Sequence, residues 1–211
     1  MIRELMVASL LPFPETKLKR DPIEAESCGN GLCCLARFII DLGGEAQCYR
    51  IATGNRIVQA RIEGTKISLQ MGKTECKIAL HLRGQEVHFT DTGVPHAVVF
   101  VPDVDKIDIM QEGSFLRNHP AFQPRGTNVS FAKINEDGSI HVRTFERGLE
   151  GESLACGTAA AAVGMIASKI YQLQSSIPIY FPGGIIEVQV AEYITIKGKP
   201  MKVFEGSYAI N

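Results

Sequence analysis

An excess of either charge is missing from this sequence: 22 lysines and arginines stand against 23 aspartates and glutamates, a net charge of −1 over 211 residues. That balance removes the electrostatic motive for nucleic acid or an anionic membrane as partner, since both call for a basic face or tail. A long hydrophobic run is missing too, and no stretch approaches the roughly 20 apolar residues that span a bilayer. The N-terminal "MIRELMVASLLPFPETK" starts with Arg3 and a short apolar run, but Glu4 interrupts it and no small-x-small cleavage site follows, so it reads as mature protein. Cysteine is too sparse and scattered for a disulfide scaffold: Cys28, Cys33, Cys34, Cys48, Cys76 and Cys156 favour a reducing cytoplasm and free thiols. What remains is an ordinary globular composition, 45% hydrophobic and 21% charged, in a chain long enough for one domain or two small ones. A small ligand is the partner to expect, and some of the thiols are available for chemistry.

Strand and helix patterns alternate along the chain. "CGNGLCCLARFIIDLGG" sets Leu32, Leu35, Ala36 and Ile39 at helical spacing, with Gly43-Gly44 as the stop. "RIVQARIEGTKISLQM" alternates apolar and polar residues like a hairpin turning near Gly64, and "GSIHVRTFERG" follows a turn at Asn135 to Gly138. "CGTAAAAVGMIASKI" reads as a second helix, and the chain from Ile185 is strand-rich to its end. The class is α/β.

Two helix starts share one form. Ser27-Cys28-Gly29-Asn30 and Ala155-Cys156-Gly157-Thr158 each read small-Cys-Gly-[Asn/Thr], each opens an apolar helix, and the cysteines lie 128 positions apart. The pattern is that of an internal duplication. A helix N-terminus offers unpaired N–H groups and a positive dipole end, which suits a carboxylate and eases ionisation of a thiol beside it. A glycine after each cysteine lets a ligand come close to the backbone.

Two such ends facing one another would clamp an acid between two thiols. One sulfur could then take the Cα proton of an amino acid while the other delivers a proton to the opposite face, and the stereocentre inverts. A single base would only return the proton to the side it left. Fixed N–H donors at the helix ends would stabilise the enolate-like charge that develops on the carboxylate.

The stretches "EAESCGNGLCCLARF", "TGVPHAVVFV", "RGTNVSFAKI", "VRTFERGLEGESLACGTAAAA" and "GKPMKVFEG", in that order, carry a wider resemblance. From about Asp21 to Ser207 the sequence resembles the diaminopimelate epimerase family of cofactor-independent, two-cysteine isomerases. The resemblance implies two pseudo-symmetric α/β domains, each a curved, mostly antiparallel sheet around a central helix, with the active site between them. The expected division is residues 1–72 plus about 200–211, and 73–199. It implies interconversion of LL- and meso-diaminopimelate, in lysine and peptidoglycan precursor synthesis, with no cofactor and no metal. The substrate is a small amino acid, and a homodimer is compatible with the family. Carried over by position, Cys28 and Cys156 are the acid/base pair. Gly29, Asn30, Gly157 and Thr158 bind the reacting carboxylate, His96 and Glu146 contact the amino group or the cysteines, and Asn128 and Arg147 reach the far carboxylate.

The sequence also departs from the family. No counterpart of its N-terminal "HGxGNDF"-like motif precedes these stretches, Val94 stands where "GNPH" members carry asparagine, and Lys19 occupies another asparagine position. The reacting end is retained and the specificity end altered, which keeps open a broader or different amino-acid racemase, for example of glutamate. Each residue also has a plainer reading: His96 and Asn128 as turn residues, Glu146-Arg147 as a surface ion pair, Asn30 and Thr158 as helix-start residues. Cys33, Cys34, Cys48 and Cys76 read as small core hydrophobes. A metal or redox module built on Cys28, Cys33 and Cys34 is the remaining alternative. Its C-x4-C-C spacing does not fit a zinc site, because adjacent helical residues point to different faces.

Overall fold

The computed structural model describes residues 2–5, 28–53, 56–73 and 76–203. Lys19 and residues 204–211, the end of the strand-rich C-terminal stretch, lie outside the described residues. In chain order the elements are β1 (Ile2–Leu5), α1 (Gly29–Asp41), β2 (Cys48–Thr53), β3 (Arg56–Glu63), β4 (Lys66–Gly72), β5 (Cys76–Leu82), β6 (Gln85–Asp91) and β7 (Pro95–Phe100). They continue with α2 (Ile109–Arg117), β8 (Asn128–Ile134), β9 (Ile140–Glu146), β10 (Gly151–Ser153), α3 (Gly157–Tyr171), β11 (Ser176–Phe181), β12 (Gly184–Val190) and β13 (Ile194–Gly198).

Both expected hairpins form. Gly64, at φ +62°, takes the left-handed position between β3 and β4, which pair antiparallel from Gln59↔Gln70 to Glu63↔Lys66. The Asn135–Gly138 turn joins β8 to β9, also antiparallel. Where the family resemblance implied two sheets, the strands form one hydrogen-bonded path: β1-β2-β3-β4-β13-β12-β11-β9-β8-β7-β6-β5, with β10 on the side of β9. The join is β13, which pairs antiparallel with β4 on one side and β12 on the other. Pairing is mostly antiparallel; β1–β2, β7–β8 and β9–β11 are parallel.

α1 packs on β3 and β4, and α3 packs on β6, β7, β8, β11, β12 and β13, so each half of the sheet holds one of the two cysteine-capped helices. Of the apolar stripe read from the sequence, Leu32 and Ala36 are buried, with Leu35 and Ile39 packed against the core. The predicted stop is real: Gly43 N–H bonds Ile40 O and Gly44 N–H bonds Ile39 O, the paired closure that a left-handed glycine permits, and Gly43 has φ +85°. α3 is buried along its whole first three turns, Gly157 to Ala167. Its alanines are what let it lie so deep. At Gly164 even a methyl group would stand 2.7 Å from Val188 Cγ1, so any larger residue there would push the helix off β12.

α2 was not anticipated. It is capped by Asp108, whose side chain accepts Gln111 N–H, and covers the other face of β8 and β9 through Ile109 and Leu116 in a second apolar cluster with Val129, Phe131 and Phe145. Alternation along β8 and β9 therefore sends Val129 and Phe145 toward α2, and their neighbours Asn128 and Glu146 toward α3.

Candidate active site

The two Cys-Gly helix starts meet. A Cβ placed on Gly29 would lie 3.4 Å from Gly157 Cα, and one on Gly157 would lie 3.4 Å from Gly29 Cα. Ile196 Cδ1 closes the same junction, 3.2 Å from the Gly29 position and 2.8 Å from that of Gly157. A methyl at either position would meet the other backbone at contact distance and crowd the Ile196 tip, so glycine keeps the junction open. Asn30 Nδ2 crosses the junction to donate to Ala155 O at 3.0 Å, so this side chain ties the start of α1 to the residue before Cys156.

Each cysteine is the N-cap of its helix, with extended backbone at Cys28 (φ −129°, ψ 94°) and Cys156 (φ −134°, ψ 114°). Cys28 is exposed, and its Sγ accepts Gly31 N–H at 3.2 Å. Cys156 is 6% exposed, with Sγ 3.3 Å from Thr158 Oγ1. Neither helix has an acidic residue in its first turn, so the positive dipole ends keep their attraction for an anion. Burial raises the Cys156 thiol above the ordinary range and the charge of Glu146 raises it further, while the Thr158 hydroxyl and first-turn amides pull weakly the other way. Cys156 is therefore a protonated thiol at neutral pH, with a proton to deliver.

Three further predicted residues share one rung of the sheet. His96 on β7 pairs with Asn128 on β8, and the Val129↔Phe145 register sets Asn128 beside Glu146 on β9. His96 is fully buried, and among the described residues neither ring nitrogen has a hydrogen-bond partner. Burial, with Arg147 nearby, pushes its pKa down to about 3 against the pull of Asp91, so the ring is neutral with one nitrogen to donate and one to accept. Asn128 Oδ1 accepts Arg147 N–H at 2.8 Å, which fixes the residue after Glu146, and Arg147 Nη1 donates to Arg125 O at 2.9 Å.

All ten predicted residues thus belong to one neighbourhood, the two helix ends and the rung beneath α3. Two residues that sequence reasoning missed complete it. Thr92 Oγ1 donates to Thr158 O at 3.2 Å and so joins the turn before His96 to the first turn of α3. Ile196, from β13, seals the glycine junction. Thr92 adjoins the "GVPH" stretch, which is a local signal; Ile196 has none. The expectation that Cys34 packs in the core is corrected: it faces solvent while Cys33 is buried, because neighbouring positions lie about 100° apart around a helix. Burial pushes the Cys33 thiol up to about 12. Among the described residues no three His, Cys, Asp or Glu side chains are grouped to hold a metal ion.

Comparison with known proteins agrees with this geometry. The family model for diaminopimelate epimerase matches residues 88–207. A diaminopimelate epimerase of Aquifex aeolicus is 37% identical over 195 residues, covering 86% of this chain and 69% of its own. One from Archaeoglobus fulgidus is 34% identical over 211 residues (90% and 74%), and one from Chlamydia muridarum 38% over 166 (75% and 62%). The chain thus spans between 62% and 74% of the length of these relatives. Among solved structures, a probable proline racemase from Agrobacterium radiobacter K84 superposes with TM-score 0.64 at 16% identity, covering 91% of this chain and 74% of that one. A hydroxyproline epimerase from Agrobacterium vitis superposes at 0.65, also at 16% identity, covering 82% and 64%. These two establish the shared fold. The sequence matches go further, and the chain belongs to the diaminopimelate epimerase family.

Proposed function

We propose that this protein is an isomerase that inverts one Cα of diaminopimelate, between the LL and meso forms, by proton transfer between Cys28 and Cys156. The observation that carries the reading is the contact of Gly29 with Gly157, which brings two cysteine-capped helix starts to one point. In the direction set by the protonated Cys156, Cys28 acts as the thiolate. It takes the Cα proton, and the electron pair delocalises into the carboxylate held against the helix ends by Gly29, Asn30, Gly157 and Thr158. The Cys156 S–H then delivers its proton to the opposite face, leaving Cys28 protonated and Cys156 a thiolate. Proton exchange of the thiols with solvent, or a turnover of the opposite isomer, restores the pair. Neutral His96 and the Glu146 carboxylate contact the amino group or the cysteines, and Asn128 with Arg147 takes the far carboxylate, for which the Arg fork is suited. The division into residues 1–72 with 200–211 and 73–199 belongs to this proposal.

A second reading, a racemase that also takes glutamate, has one observation in its favour: Val94, 7% exposed, puts an apolar side chain in the turn that leads to His96. Proton NMR in deuterium oxide with reductant separates the two. Cα exchange with inversion of LL-diaminopimelate alone supports the first reading, inversion of L-glutamate as well supports the second, and exchange of neither by folded, reduced protein overturns both.

A further inference from the structure

An ion pair outside the ten site residues straps the His96 turn to Arg147. Asp91 Oδ1 accepts Gly93 N–H at 2.9 Å, closing the turn that holds Val94, and Asp91 Oδ2 accepts Arg125 Nη1 at 3.0 Å. Arg125 then offers its backbone carbonyl to Arg147 Nη1 at 2.9 Å, and the Arg147 N–H is held by Asn128 at 2.8 Å. One continuous chain of hydrogen bonds therefore runs from the turn before His96, through Asp91 and Arg125, to the Arg147 guanidinium.

The pair is open to solvent, with side chains 50% (Arg125) and 26% (Asp91) exposed, so it adds little to the stability of the fold. Its consequence is geometric. An arginine side chain has much rotamer freedom to lose, and a binding arginine that is held in advance loses less of it when its ligand arrives. The Arg125 carbonyl can hold Arg147 only while the backbone at Arg125 stays in place, and the Asp91 carboxylate helps to anchor that residue's side chain.

We propose that Asp91 and Arg125 are positioning residues that hold the Arg147 guanidinium ready for a substrate's far carboxylate, and so set the enzyme's affinity for acids with two carboxylates. Neither touches the substrate; the charge of Arg125 is engaged by Asp91. The inference rests on the assignment of Arg147 under Proposed function. The far carboxylate is remote from the reacting carbon, so its contact is equal in ground and transition states, and weakening it raises KM and spares kcat.

The test uses Asp91→Asn, which keeps an oxygen for the Gly93 N–H, and Arg125→Gln, which keeps the backbone carbonyl, with Arg147→Gln as reference. Steady-state kinetics on LL-diaminopimelate are expected to show KM raised roughly three- to tenfold in each of the first two, with kcat within about twofold, and a double variant no worse than the singles. Arg147→Gln is expected to raise KM more. If Arg147→Gln leaves KM unchanged, the assignment of Arg147 fails. If Arg147→Gln raises KM while Asp91→Asn and Arg125→Gln behave as wild type, or lower kcat at constant KM, the positioning proposal is overturned. Arg125→Gln alone decides the matter should the Asp91 variant not fold.

Discussion

Gly29 and Gly157, 128 positions apart in the chain, touch backbone to backbone at the starts of two helices, 3.4 Å from where either would carry a Cβ. Everything chemical about the site depends on that contact. It brings the helix capped by the exposed Cys28 to the helix capped by the buried Cys156, with their two positive ends together.

The first prediction follows from the junction itself. In Gly157→Ala the new methyl meets Ile196 Cδ1 at 2.8 Å, the movable tip of a side chain, and no left-handed backbone is involved. The fold should survive with a loss of about 1–2 kcal/mol. The Ile196 tip must shift and the methyl sits at contact distance from Gly29 Cα, crowding the place where the reacting carboxylate would bind, so activity should fall on the order of a hundredfold, since small misplacements at a reacting centre cost that much. Thermal melting beside an epimerisation assay checks both. Full activity in a folded variant would mean that the contact is not needed.

Thiol accessibility gives the second. Mass-spectrometric mapping after brief treatment with iodoacetamide should find Cys28 and Cys34 modified, with Cys33 and Cys156 spared, in line with their exposure. Inactivation should track Cys28 alone, so Cys34→Ser should stay active and be inactivated at the wild-type rate. Early labelling of Cys156 would contradict the buried setting.

Glu146 sets up the third. Its negative charge raises the Cys156 pKa, so Glu146→Gln should lower it. The limb of the pH–rate profile that belongs to Cys156 ionisation should move to lower pH, whatever the loss in rate from the missing substrate contact. A limb that stays or moves upward would remove Glu146 from the neighbourhood of the thiol.

His96 links the site to stability. Its folded pKa is depressed from 6.5 to about 3, so below pH 6.5 the unfolded chain takes up a proton that the folded one refuses. Stability is full above 6.5 and falls as pH drops toward 3, by up to about 1.4 kcal/mol per pH unit. Urea denaturation at pH 7 and pH 5 should show wild type losing roughly 2 kcal/mol more than His96→Gln over that interval. Equal losses would mean that the ring is protonated or solvated in the folded state.

The parts of this site that could be read in the sequence are those made by neighbours in sequence. Cys-Gly at each helix start, the Leu32 to Ile39 stripe, the Gly43-Gly44 stop and the two hairpins are local patterns, and each is realised. The rung of His96, Asn128 and Glu146 is made by strand register across β7, β8 and β9, which no local pattern encodes; those residues came from family resemblance. Ile196 at the glycine junction and the merging of two sheets through β13 and β4 are also long-range events, and neither pattern nor resemblance indicated them. α2 was missed because a short helix with three buried residues has a weak periodic signal. Cys34 was misplaced because composition says that free cysteines are buried, while its neighbour Cys33 had already taken the core face.

The central claim is that inversion needs one thiol from each helix start. Its most direct test is the reduced Cys28→Ala and Cys156→Ala proteins, incubated with LL-diaminopimelate in deuterium oxide and followed by proton NMR with chiral analysis. The account predicts that both variants stay folded, since a small residue at a helix cap costs little packing, and that neither forms the meso isomer at a measurable rate. Sustained inversion by either single variant would contradict two-thiol proton transfer.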